Sequence, residues 1–286
     1  MVLPDNNIFY INHNGDKLIL QGNEYSFMDV VPLRAFSWQY TSTDRLNGYG
    51  GRASNFRRGV KTVSAQVKIR GFNHAEFVQN MNRFVDIADA DCVEGAPGKL
   101  YVGNQYLKCF LSVSGTIENN NRFTNFAYRN IEILAVEPYW VTEETTVFNI
   151  VTPSEEDTTG KRFDLKYPYR YGTGLAVETL INNHYSASPA IITIYGAVSN
   201  PTFHINGISY GVNTVVTSTE RLVIDQVSNR IYLVGATGTE TNVFDLRDKT
   251  TNMFNKFPVG ESQIVYDGSF KMSITLVQQR SELKWI

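Results

Sequence analysis

Apolar and polar residues alternate along most of this chain, and one stretch switches to a helical period. Phe77, Met81, Phe84, Val85 and Ala88 recur at i, i+4, i+7, i+8 and i+11, while Glu76, Asn80, Arg83 and Asp86 lie mostly off that stripe. Ahead of it, Asn73-His74-Ala75-Glu76 has the form of a capping box, in which an Asn N-cap and a Glu at N3 each satisfy an orphan backbone N–H. The spacing predicts a helix that starts here, ends at Gly95-Ala96-Pro97-Gly98 and needs a sheet to cover its stripe.

Strand signals surround it. Val63, Ala65, Val67 and Ile69 alternate strictly with Ser64, Gln66, Lys68 and Arg70. Leu100-Tyr101-Val102 and Gln105-Tyr106-Leu107 flank a two-residue turn at Gly103-Asn104, and alternation continues through Cys109, Leu111 and Val113. After Asn119-Asn120-Asn121, residues Phe126 to Val136 predict a long strand that ends at Glu137-Pro138-Tyr139-Trp140. Earlier, Ile8 to Ile11, Leu18 to Leu20 and Val30 to Leu33 read as short strands between turns. Arg45 to Lys61 differs: Gly48, Gly50, Gly51 and Gly59 accompany Arg45, Arg52, Arg57, Arg58 and Lys61 with almost no apolar periodicity, which predicts an extended arm reaching into solvent.

Between Thr142 and Lys161 the composition shifts to Thr, Glu and Asp, so the chain divides into residues 1–141, a connection over 142–160, and residues 161–286. Within the connection, Val147 to Val151 is an apolar run that can open the second domain. Strands are then expected at Phe163–Tyr167, Ala176–Ile181, Ala190–Tyr195, Thr202–Ile205, Thr214–Thr217, Arg221–Ile224, Arg230–Val234 and Phe270–Val277. With turns at Asn206-Gly207, Ser228-Asn229 and Asp267-Gly268, they indicate an antiparallel sandwich.

Composition narrows the class. The 17 Phe and 16 Tyr, set against one good helix signal, argue for a mainly β protein. A net charge of −2 gives no global field for polyanions, which disfavours nucleic acid as a partner. Cys92 and Cys109 lack metal-type spacing and read as free thiols of a protein folded in reducing cytosol. Met1 to Asp5 lacks the features of a signal peptide and no window suits a membrane span, so a soluble, cytoplasmically made product without membrane insertion is expected.

The helix His74-Ala-Glu-Phe-Val-Gln-Asn-Met-Asn-Arg-Phe, the strand start Pro97-Gly98-Lys99-Leu100-Tyr101-Val102 and the closing Glu137-Pro138-Tyr139-Trp140 resemble, in order and spacing, the N-terminal domain of siphophage distal tail proteins. Ser188-Pro189 with Ile191, Ile192 and Ile194, then Asn200-Pro201 and Glu220 to Asp225, resemble the galectin-like C-terminal domain of the same family, also found in tail-like bacteriocins. The resemblance implies a β-sandwich or barrel-like N-terminal domain with one α-helix, followed by a galectin-like antiparallel β-sandwich. It implies a structural, non-enzymatic protein of the virion tail tip, assembled in the host bacterial cytoplasm. It further implies a hexameric ring that joins the tail tube protein to a tail-tip or tail-associated protein and to receptor-binding parts, with no cofactor.

Charge placement suggests how such a ring would close. Asp86, Asp89, Asp91 and Glu94 gather where the helix dipole is negative, each unfavourable there by roughly 0.3–1 kcal/mol. Arg45, Arg52, Arg57 and Arg58 of a neighbouring subunit would compensate them through a head-to-tail contact. The competing reading is that both clusters are simply solvated. A Ca²⁺ site fits less well, since the acids lack the Gly turn and closing Glu of an EF-hand loop.

The search for other chemistry is thin. His13, His74, His184 and His204 form no ligand pair, and no nucleophile elbow, Walker loop, zincin or dinucleotide motif occurs. Trp38, Trp140, Trp285 and the tyrosines suit core or interface positions better than a sugar platform. Tyr167, Tyr169, Tyr171 and Tyr185 form a cluster that suits an exposed contact surface or the seam between domains. The rival function is a carbohydrate-binding module, acting through the second sandwich on a host cell-surface saccharide.

Overall fold

The computed structural model describes residues 8–29, 31–34, 37–112, 117–118, 125–151 and 176–284. They fall into two compact units, Met1–Thr142 with Gln279–Ile286, and Glu143–Gln278. Both are built on antiparallel strands, so the molecule is mainly β with one long helix.

Unit 1 contains β1 (Ile8–Ile11), β2 (Lys17–Ile19), β3 (Tyr25–Phe27), the single turn α1 (Val31–Arg34), β4 (Gln39–Asp44), β5 (Gly51–Arg57), β6 (Lys61–Arg70), α2 (His74–Glu94), β7 (Gly98–Val102), β8 (Gln105–Ser112), β9 (Ile117–Glu118), β10 (Phe126–Ala135) and the start of β11 (Trp140–Phe148). The first half of β8 lies between β7 and β11, and its last three residues pair with β10. One strand thus carries the chain from one sheet into the next. β10 runs along β6 from Phe126↔Arg70 to Ala135↔Lys61, and β6 pairs with β3.

The helix forms where its caps predict. Asn73 Oδ1 accepts the Glu76 N–H at 2.8 Å, while Glu76 Oε2 reaches back to the Phe72 N–H at 2.9 Å, one residue before the N-cap. At the other end Gly95 adopts φ 65°, the left-handed conformation a helix C-cap favours in glycine, and its N–H donates to Asp91 O. The helix packs on β6 and β8 and buries Phe77, Asn80, Phe84, Ile87, Ala88 and Asp91. Two of these, Asn80 and Asp91, are polar positions that the apolar stripe does not include. Asn80 is buried with its amide and its main chain both paired: Nδ2 donates to Arg70 O at 2.9 Å and the backbone carbonyl accepts from Tyr25 Oη at 3.0 Å.

Unit 2 begins inside β11 and continues through β12 (Ala176–Asn182), β13 (Ala190–Tyr195), β14 (Val198–Ser199), β15 (Thr202–Ile205), β16 (Ile208–Gly211), β17 (Val215–Val216), β18 (Arg221–Asp225), β19 (Arg230–Val234), β20 (Glu240–Asn242), β21 (Gly260–Tyr266) and β22 (Lys271–Arg280). One sheet runs β11-β22-β13-β18-β19-β20 and the other β12-β21-β15-β16. Ile192, Ile194, Leu222, Ile224 and Ile274 from the first meet Leu180, Phe203, Ile205, Ile264 and Tyr266 from the second in one core. The β15–β16 hairpin turns at Asn206-Gly207 with φ 49° and 80°, the positive pair that a two-residue turn of this hand requires.

Three expectations change. Val31–Arg34 is a helical turn rather than a strand, as a proline in a first turn permits, because the N–H it lacks would have no partner there. Thr142–Phe148 is strand rather than linker, since its three threonines and Val147 suit a half-exposed strand, and Phe148 is buried in the second core. The last residues leave the second sandwich. Leu283 is buried in the unit 1 core, and the buried Gln105 side chain clamps Lys284, Oε1 accepting its N–H at 2.9 Å and Nε2 donating to its carbonyl at 3.4 Å. The expected strand at Phe163–Tyr167, and Tyr167, Tyr169, Tyr171 and Trp285, lie outside the described residues.

Candidate assembly surface

The stretch with little periodicity is a hairpin. Among the described residues β4 pairs with β5 alone, in the register Thr41↔Ser54, Thr43↔Arg52 and Asp44↔Gly51, with a bulge between Gln39 and Thr41. Gly48 and Gly50 at φ 135° and 84° turn the chain at its tip. Nearly every residue of the arm is exposed, its large apolar side chains included: Leu46 and Tyr49 fully, and Tyr40 and Phe56 at 60% and 58%. Trp38 and Tyr40 gather around Phe56 with ring centroids 6.5 and 5.7 Å apart, and the Arg58 guanidinium lies 4.5 Å from the Trp38 ring. A lone two-stranded ribbon is marginal in water, and this one presents its aromatic side chains to solvent.

At the root of the arm an open cleft of about 500 Å³ is lined by Ser37, Gln39, Arg58, Lys61, Thr62 and Pro138 among others. Lys61 Nζ donates to Leu33 O at 2.7 Å. Burial pulls its pKa below the usual lysine value, and Glu282 opposes that shift. Arg58 and Lys61 are the basic residues in its lining.

The second half of the surface is the C-terminal end of α2. Asp86, Asp89 and Glu94 are exposed there, and no basic residue occupies the last turn. Beside it, Gly95, Pro97, Lys108, Phe110, Val136 and Glu137 line a smaller cleft of about 280 Å³, with Val93 and Val136 exposed. Asp91 does not belong to this acidic surface. Its carboxylate is fully buried, where it accepts from Tyr10 Oη, from the His13 backbone N–H at 2.8 Å, and lies 2.6 Å from His13 Nδ1. Three partners and complete burial make it a structural anchor that ties β1 and the following turn to the helix.

The arginines stand where an arm would carry them. Arg45 sits in the tip, Arg52 and Arg57 are exposed on β5, and Arg58 is half-buried against Trp38. Ion pairs among the described residues include His13–Asp91, Lys108–Glu137 and Arg230–Glu240, and none of these joins an arm arginine to a helix acid. The charge pattern overlooked the aromatic members. Trp38 and Tyr40 at alternate positions, with Phe56 on the return strand, were the signal for them. Among the described residues no three of His, Cys, Asp and Glu converge into a metal-holding group, and no helix is long and apolar enough to cross a membrane.

No protein-family model and no curated protein matches the chain. Solved structures do. The crystal structure of the SPP1 Dit protein, described as a paradigm of the hub adsorption apparatus in Gram-positive-infecting phages, superposes with a TM-score of 0.55 at 10% identity, over 96% of this chain and 98% of that one. Chains of the phage P2 baseplate in its activated conformation, with Ca and with Sr, superpose with TM-scores of 0.62 and 0.63 at 13% identity, each over 97% of this chain and 99% of the other. The chain has the fold of phage distal tail and baseplate proteins over nearly its whole length.

Proposed function

We propose that this chain is a structural, non-enzymatic distal tail protein of a phage or tail-like particle, whose copies close into a ring at the tail tip. Unit 1 supplies the ring contacts and meets the tail tube protein. Unit 2 faces the tail-tip and receptor-binding proteins, and assembly takes place in the host bacterial cytoplasm. The observation that carries this reading is the arm, a hairpin that pairs with no other strand among the described residues and leaves Tyr40, Leu46, Tyr49 and Phe56 exposed. Burying each such side chain against another chain is worth roughly 1.5–3 kcal/mol, far more than an exposed ion pair.

The contact is heterologous: arm to helix end, repeated until the rotation closes, with six copies expected from the resemblance. Arg45, Arg52, Arg57 and Arg58 meet the exposed Asp86, Asp89 and Glu94 of the next copy and set the register, while the aromatics supply the burial. The test is mass in solution by light scattering. Arg57→Glu with Arg58→Glu should reduce the assembly, and adding Asp86→Arg with Asp89→Arg in the same chain should restore it. A wild-type chain that stays monomeric at high concentration, or an assembly indifferent to the reversal, refutes the contact.

A further inference from the structure

Asparagine is followed by glycine at Asn14-Gly15, Asn47-Gly48 and Asn206-Gly207. The pair is reactive because a glycine nitrogen, with no side chain beside it, can reach the asparagine amide carbon one residue back. The fold treats the three pairs differently. Asn206 has both ends of its amide held: Nδ2 donates to Ser262 Oγ at 3.2 Å and Oδ1 accepts the Gln263 N–H at 2.8 Å. At the first pair the nucleophile is occupied, since the Gly15 N–H donates to Asn12 O at 3.1 Å. Asn47-Gly48 sits in the arm tip, inside the turn closed by the Arg45 N–H donating to Gly50 O at 3.2 Å. Asn47 is exposed, and among the described residues neither its amide nor the Gly48 N–H has a hydrogen-bond partner. The space where a Gly48 side chain would stand is open, and its φ of 135° is one that glycine adopts readily, so the turn calls for the residue that makes the attack easy.

The reaction needs only water. The Gly48 N–H loses its proton to solvent and the nitrogen forms a bond to Asn47 Cγ. The Cγ–Nδ2 bond then breaks, and the amide takes up a proton from solvent and leaves as ammonia, which gives a succinimide. Water opens that ring in one of two ways. Attack at Cγ restores the main chain and leaves aspartate, while attack at the main-chain carbonyl carbon leaves isoaspartate, with the chain routed through the side chain. Either way one water is consumed, one ammonia is released, and an amide becomes a carboxylate. Each hydrogen bond that must break before the attack slows it by about two- to tenfold. Two such bonds hold the Asn206 amide and one engages Gly15, whereas Asn47-Gly48 has none.

We propose that Asn47-Gly48 is a self-modifying site, which converts to aspartate and isoaspartate in the folded chain with water as its co-reactant. From Asp44 to Arg58 the arm carries four arginines against one aspartate, a net charge of +3 that falls to +2 on conversion. The extra main-chain atom of isoaspartate falls inside the tip, beyond the last strand pair Asp44↔Gly51, so the hairpin keeps its register. The chemistry stands whether or not copies of the chain form a ring. Its effect on assembly rests on the contact proposed above: the same step weakens the attraction of the arm for Asp86, Asp89 and Glu94.

The test ages the full chain in mildly alkaline buffer, folded and in urea, and follows the three Asn-Gly peptides by mass spectrometry, with isoaspartate read by enzymatic methylation. In the folded chain Asn47 should convert about tenfold or more faster than Asn206, with Asn14 between them. In urea the three should convert at like rates, because only the fold tells them apart. Asn47→Gln, whose longer side chain closes a ring far less readily, should abolish the fast conversion and leave the thermal transition in place. The proposal falls if Asn47 is not the fastest of the three in the folded chain, if folding slows it as much as Asn206, or if the fast conversion survives Asn47→Gln. Light scattering of Asn47→Asp reads the effect on assembly by itself: a variant that assembles as fully as wild type overturns that link, and a wild-type chain that never assembles refutes the ring while the peptide rates still decide the modification.

Discussion

The return of residues 279–284 to unit 1 makes this segment part of the first core, and Leu283→Ala tests it. Leu283 is 2% exposed within the cluster that also holds Leu100, Leu107 and Trp140. Removing three buried carbons loses about 2.4 kcal/mol of transfer energy, and the space left behind adds to that where neighbours do not collapse, giving about 2–4 kcal/mol. At about 2–4 °C per kcal/mol for a unit of this size, calorimetry should show a drop of about 4–16 °C in the unit 1 transition. Gln105→Ala should cost about 1–3 kcal/mol, because the Lys284 N–H loses its 2.9 Å acceptor. The two substitutions act on one segment, so their effects should be less than additive in a double-mutant cycle. Hydrogen exchange supplies the location: protection should fall in Gln105–Ser112 and Gly98–Val102 and persist in Ala190–Tyr195. A loss below about 1 kcal/mol, or exchange that rises only in Glu143–Gln278, would show that the tail contributes nothing to the first core.

Asp91→Ala should destabilise by about 2–4 kcal/mol in urea titration, because it strands the His13 N–H and leaves the Tyr10 hydroxyl only its 3.2 Å contact with Cys109 O, whereas Asp91→Asn, which keeps an acceptor, should cost less than half of that. Asn73→Ala removes the 2.8 Å cap and should cost about 1 kcal/mol, with faster exchange confined to the first turn of α2. Burial raises the pKa of Tyr10, with Asp91 adding to the shift, and pushes Tyr25 up to about 12. A raised folded pKa gives stability that is complete below the unfolded value of about 10 and is lost as pH climbs toward the folded one. Stability should therefore fall above about pH 10, and absorbance at 295 nm should show these tyrosines ionising only as the chain unfolds; Tyr25→Phe should flatten the slope.

Local signals carried most of the secondary structure. Asn73 and Glu76 mark the start of the helix, Gly95 its end, and Asn206-Gly207 a hairpin, because caps and turns are decided by dihedral preferences and hydrogen bonds within a few residues. Alternation at Val63, Val67 and Ile69 likewise fixes which side of β6 is buried before any partner is known. The arm was legible as a segment with charges and glycines and no core face, yet its aromatic cluster arises only when the bulge and turn bring Phe56 beside Trp38 and Tyr40.

Other features depended on partners far along the chain. Asp91 carries the same charge and lies on the same helix turns as Asp89 and Glu94, but it alone faces Tyr10 and His13, about 80 residues away. That Tyr195 lies beside Arg221 follows from strand register, which composition does not encode. The tail leaves the second sandwich because Leu283 finds an apolar site and Gln105 two backbone groups in the first unit. Sequence periodicity says which residues avoid water; the folded chain decides what they touch, because burying a polar group depends on a partner that only the assembled fold provides.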